Sequence, residues 1–582
     1  KKDIIKYESL RGLNESDTKL MFNQFQTILR LNSISDKPTA FMKMINLFLA
    51  KLADEISEDK EFMVTLKNGN SLINKGMMFQ YVENETPESF MKRLNDLYKE
   101  GMYNYLNKKI IDYSDDDLAN IISSLGEDEN SRLMKIFDDL RLKKDVNFSF
   151  IDVYDEITFK ENFNVVKDVV SLLEVFKLKY ETKYQFLGDF FEELLNTSLK
   201  QEAGQFFTPY PIVDFMINSL DIKEKINNLI SSGAKDFIPK GIDYACGAGH
   251  FLISYMTKVQ KILSVTPDNN LTREQKKQLK TFIDNPYQWV KGSVVGIEKD
   301  YRLAKTTKIA TFLNGDGDAD IIAGDGINKF NCREYKQTQL YGEHVNRKEI
   351  FDYVISNPPY SVEGFMLNFR KNGIDKDSQT FSLLDKNINE KDTAIEIFFV
   401  ERMEQLLKRG GVGAIILPQS VLSNYKYERL RDFIFKKFRI LSMMLTADIT
   451  FSGTTTSPVI FILRKEVVEN KDYKILIHKS PKYSAPNAQR LKRTEEEFLG
   501  YSFSSNRSKQ GIKIYSSSII SQLANITHEY VVNQQVVIAE NLKKYSCILP
   551  LKNILLNATD KYCGDIYPKR MQNIKGLPLN RY

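Results

Sequence analysis

Ile242-Asp243-Tyr244-Ala245-Cys246-Gly247-Ala248-Gly249-His250-Phe251-Leu252 reads as a strand that runs into a turn holding two glycines and then into a helix. Gly247 and Gly249 can take backbone conformations closed to other residues and leave no Cβ in the way of a ligand, while the following helix offers free N–H groups to a carboxylate or a phosphate. A tight strand-to-helix turn with no ligand is the plain alternative. The neighbouring runs weigh against it: the next ends Gly296-Ile297-Glu298, and a third ends Gly324-Asp325-Gly326. An acid at the tip of the second strand of such a sheet is placed to accept hydrogen bonds from vicinal ribose hydroxyls. Any one of these acids could be a solvated surface carboxylate; three consecutive strand ends are harder to dismiss.

Outward from this point the texture is short apolar runs separated by helical lengths. The runs are Gly241 to Cys246, Val294 to Glu298, Ile321 to Asp325, Phe351 to Ser356, Val412 to Leu417, Ile440 to Leu445 and Val459 to Leu463. With helices such as Ala394 to Leu407 between them, the pattern predicts an α/β fold whose parallel sheet is covered on both faces, with ligands at the carboxyl ends of the strands. The last two runs lie so close together that one is expected to return antiparallel. Thr266 to Tyr287 reads as a polar helical insertion beyond what a simple crossover requires.

Upstream, to about Val165, apolar residues recur at helical steps, as in Phe41, Ile45, Leu49 and Leu52, or Leu118, Ile121, Ile122 and Leu125. An all-helical region is predicted there, with turn signals at Ser35-Asp36 before Pro38 and at Gly126-Glu127-Asp128. Phe186 to Ser198 reads as a further amphipathic helix. Beyond Lys465 the pattern weakens, although Ile519 to Val532 still reads as a helix and Ser502 to Ser508 as a loop. The expected division is 1–165 helical, 166–465 α/β, and 466–582 a basic closing segment.

The chain has 582 residues, 42% of them hydrophobic and 27% charged, with a net charge of +6. This excludes collagen-like, low-complexity and wholly disordered classes. No apolar run approaches the roughly 20 residues that span a bilayer, so no membrane association is expected. From the start, Lys1-Lys2-Asp3-Ile4, no secretory signal is expected, and with no Met at position 1 the numbered chain is expected not to begin where translation does. Four cysteines without a CxxC pair and four scattered histidines give neither a zinc-ligand spacing nor a disulfide framework, so no metal is assigned and the chain is expected to be cytoplasmic. From Arg464 to Tyr582 there are 20 Lys and Arg against 10 Asp and Glu, a concentration of positive charge suited to phosphates or simply to water.

The sharpest signal is Phe351-Asp352-Tyr353-Val354-Ile355-Ser356-Asn357-Pro358-Pro359-Tyr360. Two consecutive prolines fix two φ angles and push Asn357 into an extended geometry, so the loop is stiff in advance of any substrate. The Asn357 side-chain oxygen and the Pro358 carbonyl can accept the two N–H protons of an exocyclic amino group. An amine conjugated to a ring or a carbonyl is a poor nucleophile, and holding both protons out of plane turns its lone pair toward an electrophile. Asn357 is neutral and no strong base, so the proton leaves only after the nitrogen has become cationic. Tyr360 is expected to lie flat against a ring.

In this order, Asp243-x-Ala-Cys-Gly-x-Gly, Glu298, Asp325 and Asn357-Pro358-Pro359-Tyr360 resemble the S-adenosylmethionine-dependent amino methyltransferases that modify adenine N6 in DNA. Gly204-Gln205-Phe206-Phe207-Thr208-Pro209, together with Phe399 to Arg402 leading into Gly410-Gly411 and Leu417-Pro418, is similar to the modification subunit of type I restriction-modification systems. Phe41 to Glu55 resembles that family's amino-terminal domain. The resemblance implies a Rossmann-like methyltransferase sheet preceded by an all-helical domain. S-adenosylmethionine is the implied cofactor and double-stranded DNA the implied substrate, with separate specificity and restriction subunits as partners.

Position by position, the resemblance puts Thr208, Gly247 and Gly249 near the methionine part of the cofactor, with Asp243 organising the turn, Glu298 on the ribose and Asp325 at the cofactor's adenine amino group. Asn357, Pro358, Pro359 and Tyr360 form the catalytic loop. Phe451, between the last two strands, is the candidate to stack with Tyr360 on a target base turned out of the duplex, a rotation costing about a few kcal/mol. Family members often have Pro where Tyr244 stands and Ser or Thr where Ala248 stands, so a hydroxyl contact is missing. Two other functions stay open. A protein-glutamine or RNA amino methyltransferase uses the same loop chemistry, though such enzymes usually share only the sheet, and a cofactor-binding assembly subunit without turnover would lack the need for Asn357. Short triplets such as Glu58-Asp59-Lys60 give no basis for a nuclease.

Overall fold

The structure, a computed structural model, describes residues 3–12, 15–106, 132–133, 147–178, 208–269, 271–313, 319–342, 349–360, 362, 364–374, 380–384, 393–446, 458–467, 472–481, 498–500, 518–551, 555–556 and 570–571. The chain divides into two units, Lys1–Gly204 with Lys308–Gly317, and Gln205–Thr307 with Asp318–Tyr582. Leu118 to Leu125, Phe186 to Ser198, Gly204 to Phe207, Phe451 and Ser502 to Ser508 lie outside the described residues.

The first unit is mainly helical: α1 (Glu15–Leu31), α2 (Lys37–Ser57), α3 (Pro87–Leu106) and α4 (Glu156–Leu173). Asp36 caps α2 by accepting the Thr39 N–H at 3.1 Å, with Pro38 in the first turn where its missing N–H costs nothing. Phe41, Ile45, Leu49 and Leu52 are buried, as their helical spacing predicts. The unit is not all-helical, however. β1 (Lys60–Thr65) and β2 (Ser71–Gly76) form an antiparallel hairpin. Its cause is local: Phe62 and Val64 alternate with outward residues at period two, and Gly69 takes a left-handed φ of +85° beside Asn68 in the turn. α4 also runs through residue 165, so the expected boundary there is corrected to Gly204.

The second unit is built on a nine-stranded sheet. Its elements are α5 (Tyr210–Asn218), α6 (Ile222–Ser231), β3 (Gly241–Asp243), α7 (His250–Ser264), α8 (Arg273–Asp284), β4 (Val294–Glu298), α9 (Tyr301–Leu313), β5 (Asp320–Ala323), β6 (Phe351–Ser356), α10 (Phe365–Lys371), α11 (Ile395–Leu406), β7 (Leu407–Pro418), α12 (Glu428–Lys437), β8 (Phe438–Leu445), β9 (Pro458–Lys465), β10 (Lys474–Lys479), α13 (Ile519–Asn533) and β11 (Ser546–Pro550). The spatial order is β11-β10-β8-β9-β7-β6-β3-β4-β5. β3 to β7 are mutually parallel, and β9 lies antiparallel between β7 and β8, the return anticipated from the sequence.

Strand side chains divide between two cores, one on each face of the sheet. Tyr353 and Ile355 join one and Val354 the other; Val412, Ala414 and Ile416 join the first, Ile415 and Leu417 the second. Two buried faces explain why these strands read as unbroken apolar runs. The insertion helix α8 closes the first core: Phe282 packs edge-on against Phe237 at 6.2 Å, and Gln275 Nε2 donates to Ala234 O at 2.9 Å.

The sheet does not end at Lys465. β10 pairs parallel with β8 and β11 antiparallel with β10, while the Tyr530 hydroxyl of α13 donates to Lys474 O at 2.7 Å. These described parts of the closing segment are therefore part of the α/β unit, a correction to the division at 465. His478, in β10, is fully buried between Ser546 Oγ (2.7 Å) and Thr527 Oγ1 (2.8 Å), and burial pushes its pKa down to about 3. It is a neutral, structural histidine.

Candidate active site

The chain passes from β3 by way of α7 to β4 on one side, and later enters β6 on the other side of β3. The connections leaving the carboxyl ends of β3 and β6 therefore diverge, opening a crevice at this switch point. Into that rim the structure brings Asp243, the Gly247 to Gly249 turn, Glu298 and the loop starting at Asn357.

Gly247 and Gly249 both have positive φ, +51° and +85°. A Cβ on Gly249 would meet Thr307 Cγ2 at 2.7 Å, whereas one on Gly247 would meet nothing within 4 Å. Gly249 is thus needed for close packing, and Gly247 leaves open room at the turn. Thr307 Oγ1 donates to Gly247 O, holding the turn from beneath. Gly249 also stands at the N-cap of α7 and has no side chain to cap the helix's first N–H groups.

Glu298 faces this turn. Its Oε2 accepts the Gly247 N–H at 2.9 Å and its Oε1 the Asp300 N–H at 2.7 Å, which leaves each oxygen a further lone pair. Burial raises its pKa, and the two backbone donors offset part of the rise. Asp325 lies farther along the rim: its Oδ2 is 2.8 Å from Lys299 Nζ and its Oδ1 accepts the Ile327 N–H at 3.2 Å.

Asp243 is buried beneath the rim. Its Oδ1 accepts from Ser356 Oγ at 2.6 Å and from Ala245 N at 3.1 Å, while Oδ2 has no hydrogen-bond partner among the described residues. Burial pushes its pKa up to about 7, against the two hydrogen bonds and with help from Glu298. The Ser356 contact ties the strand that leads into the glycine turn to the proline loop, since Ser356 directly precedes Asn357.

The Asn357 amide Nδ2 donates to Thr208 Oγ1 at 3.1 Å, and Oδ1 is buried without a partner among the described residues. Pro358 is buried and Pro359 exposed. Tyr360 is half-buried; burial, with the nearby Glu396 charge, pushes its phenol up to about 12, and its hydroxyl has no partner among the described residues. The site therefore offers an unspent acceptor on a stiff loop beside an aromatic ring.

Two contributors were not legible as such in the sequence. Ser356 reads only as the last residue of a strand. Arg402 is fully buried in α11, its guanidinium 4.3 Å from the Phe330 ring centroid and 5.0 Å from that of Phe381, with Nη2 donating to Asn328 O at 2.9 Å. It thereby steadies the loop that follows Asp325. The sequence marked it only as the end of the run Phe399 to Arg402. Tyr244 turns away from the rim: its hydroxyl donates to Phe399 O at 2.9 Å and its ring stacks on Phe399 at 5.5 Å. Phe451 lies outside the described residues.

Comparison with known proteins bears on the same residues. A type II methyltransferase, M.BanIII, from Aneurinibacillus aneurinilyticus is 26% identical over 276 residues, covering 47% of this chain and 40% of its own. The methylase subunit of the type I restriction enzyme MjaVII from Methanocaldococcus jannaschii is 22% identical over 350 residues, 58% of this chain and 50% of its own. The chain thus spans about half the length of these curated relatives. Among solved structures, a chain from work on complex assembly and conformational transition of the type I R-M system has a TM-score of 0.51 at 14% identity, over 93% of this chain and 89% of its own, which is a likeness of fold. The sequence profile described as N-6 DNA Methylase matches residues 182–540, from ahead of Thr208 to beyond α13. The chain belongs to the N-6 DNA methylase family.

Proposed function

We propose that this chain transfers a methyl group from S-adenosylmethionine to N6 of adenine in double-stranded DNA, as the modification subunit of a restriction-modification system working with separate specificity and restriction subunits. The reading is carried by Asn357 Oδ1, a buried acceptor with no partner among the described residues, on a proline-stiffened loop at the sheet's switch point.

The residues of the rim fit the cofactor. Asp243 Oδ2, buried and without a partner among the described residues, suits a cationic group; the start of α7, where Gly249 has no side chain to cap it, suits a carboxylate; the spare lone pairs of Glu298 suit ribose hydroxyls. When bound, S-adenosylmethionine supplies a methyl carbon made electrophilic by its sulfonium. Asn357 Oδ1 and the Pro358 carbonyl accept the two protons of the adenine amine, which directs the nitrogen lone pair at that carbon. The nitrogen would take the methyl group as the C–S electron pair leaves with the sulfur, and the resulting cationic nitrogen would then lose a proton to water, since Asn357 is no base. Tyr360 offers its ring to the extruded base, offsetting part of the cost of unstacking.

The test is transfer of labelled methyl to panels of DNA, RNA and protein, with Asn357→Ala as control. Label recovered as N6-methyladenine in DNA, and lost in the variant, is the expected result. Label in RNA or in glutamine, or undiminished transfer by Asn357→Ala, would overturn the reading.

A further inference from the structure

We infer that Thr208 is a positioning residue for Asn357, and that its hydroxyl anchors the inner end of the amide so that the other end stays turned to the substrate. This role rests on the reading above and departs from the expected contact of Thr208 with the cofactor.

An asparagine amide is nearly symmetric in shape and opposite in chemistry at its two ends. With Oδ1 outward the loop accepts the protons of an amine; with Nδ2 outward it presents N–H to N–H, and the substrate's nitrogen is repelled. The prolines stiffen the backbone but leave this side-chain rotation free. Thr208 supplies what is missing. It is buried, 7% exposed, and its Oγ1 takes an Nδ2 proton at 3.1 Å across 149 residues of sequence. With Nδ2 committed inward, Oδ1 is the end left over, and it is the atom that has no partner among the described residues. Removing the Thr208 oxygen would take away the partner of the inner end and leave the amide free to turn either end outward. Ser356, which directly precedes Asn357, is tied at the same time to Asp243 at 2.6 Å, so strand end and side chain are held from two directions.

The experiment compares Thr208→Val, which keeps the shape and loses the oxygen, with Thr208→Ser, which keeps the oxygen. Each is purified together with the chains that accompany it, and is followed by methyl-transfer kinetics, cofactor binding by calorimetry and thermal unfolding. Thr208→Val is expected to lower kcat about 30-fold with cofactor Kd and unfolding temperature unchanged, on the scale of losing one preorganised hydrogen bond, and Thr208→Ser to return to within about threefold of the parent. The same pair is then made in an Asn357→Asp background, slower in its own right, where both side-chain ends accept and no orientation is needed. There the cost of Thr208→Val should shrink to about threefold or less.

Unchanged kcat in Thr208→Val, a weakened cofactor Kd that accounts for the whole loss, or an equal cost in the Asn357→Asp background would each overturn the positioning role while leaving the methyltransferase reading intact. A parent protein that transfers no methyl to DNA, or an Asn357→Ala variant as active as the parent, would overturn the underlying reading and this role with it.

Discussion

The two ends of β6 carry polar side chains treated in opposite ways. At its start, Asp352 is buried yet surrounded by cations: Lys225 Nζ lies 3.0 Å from Oδ1 as an ion pair without a hydrogen bond, Lys408 Nζ donates to Oδ2 at 2.8 Å, and the Lys240 N–H donates to Oδ2 at 3.0 Å. Burial alone would raise its pKa, but the donors and charges outweigh it and hold the group below the ordinary carboxylate range. At the far end, Asn357 Oδ1 and the neighbouring Asp243 Oδ2 are left without partners among the described residues, and the Asp243 pKa rises to about 7. A polar group whose attractions are met within the fold stabilises it; one left unmet in the interior is a cost that a ligand can recover.

The widest separation between the two ends should come from Asn357→Ala. Transfer of labelled methyl should fall on the order of 1,000-fold, while thermal unfolding stays within about 2 °C of the parent, because among the described residues Thr208 is the one side-chain partner lost. Asp352→Asn should do the reverse: kcat unchanged, and about 2 kcal/mol of stability lost in urea unfolding at pH 7, the scale of a hydrogen-bonded charge. Since the folded pKa of Asp352 is depressed, its contribution is present above the unfolded value and disappears as pH falls through the folded one. Parent and variant should therefore converge in acid. An equal deficit at pH 7 and in strong acid would show that packing, not charge, holds that end together.

Asp243→Asn sharpens the contrast through the opposite sign. A raised folded pKa makes the contribution of Asp243 fully present below its unfolded value and lost as pH rises toward about 7, so the variant should show a flatter stability profile between about pH 4 and 7. Its affinity for S-adenosylmethionine should drop about tenfold at pH 8, a cation having lost its partner. An unchanged pH profile in calorimetric binding would remove Asp243 from the cofactor site. The smallest effect belongs to Tyr360→Phe: a hydroxyl with no partner among the described residues can go with less than about a threefold change in DNA binding. Tyr360→Ala should weaken binding about tenfold and diminish 2-aminopurine fluorescence at the target position.

Much of this was legible in the sequence where local rules decide. Val294–Glu298 and Phe351–Ser356 were read to the residue, because a strand buried on both faces is apolar throughout and the turn residues on either side are strong. The rim acids followed from strand ends. The hairpin β1–β2 was missed because helical spacing on both sides masked six residues of alternation. β10 was missed because Lys474 and Lys479 bracket only four apolar or aromatic-ring residues at the outer part of the sheet. The links Asp243–Ser356 and Thr208–Asn357 join positions 113 and 149 residues apart, and no local pattern announces such a pair.

The placement of β10 and β11 has a practical consequence for anyone shortening this protein. Ending the chain at Lys465, where the apolar runs stop, would strip the cover from β8 and leave its backbone donors and acceptors open along four register pairs from Ser442 to Leu445. An uncovered ladder of that kind recruits other chains, so such a fragment is expected to aggregate on expression, whereas one continued through Pro550 keeps its own closing strands.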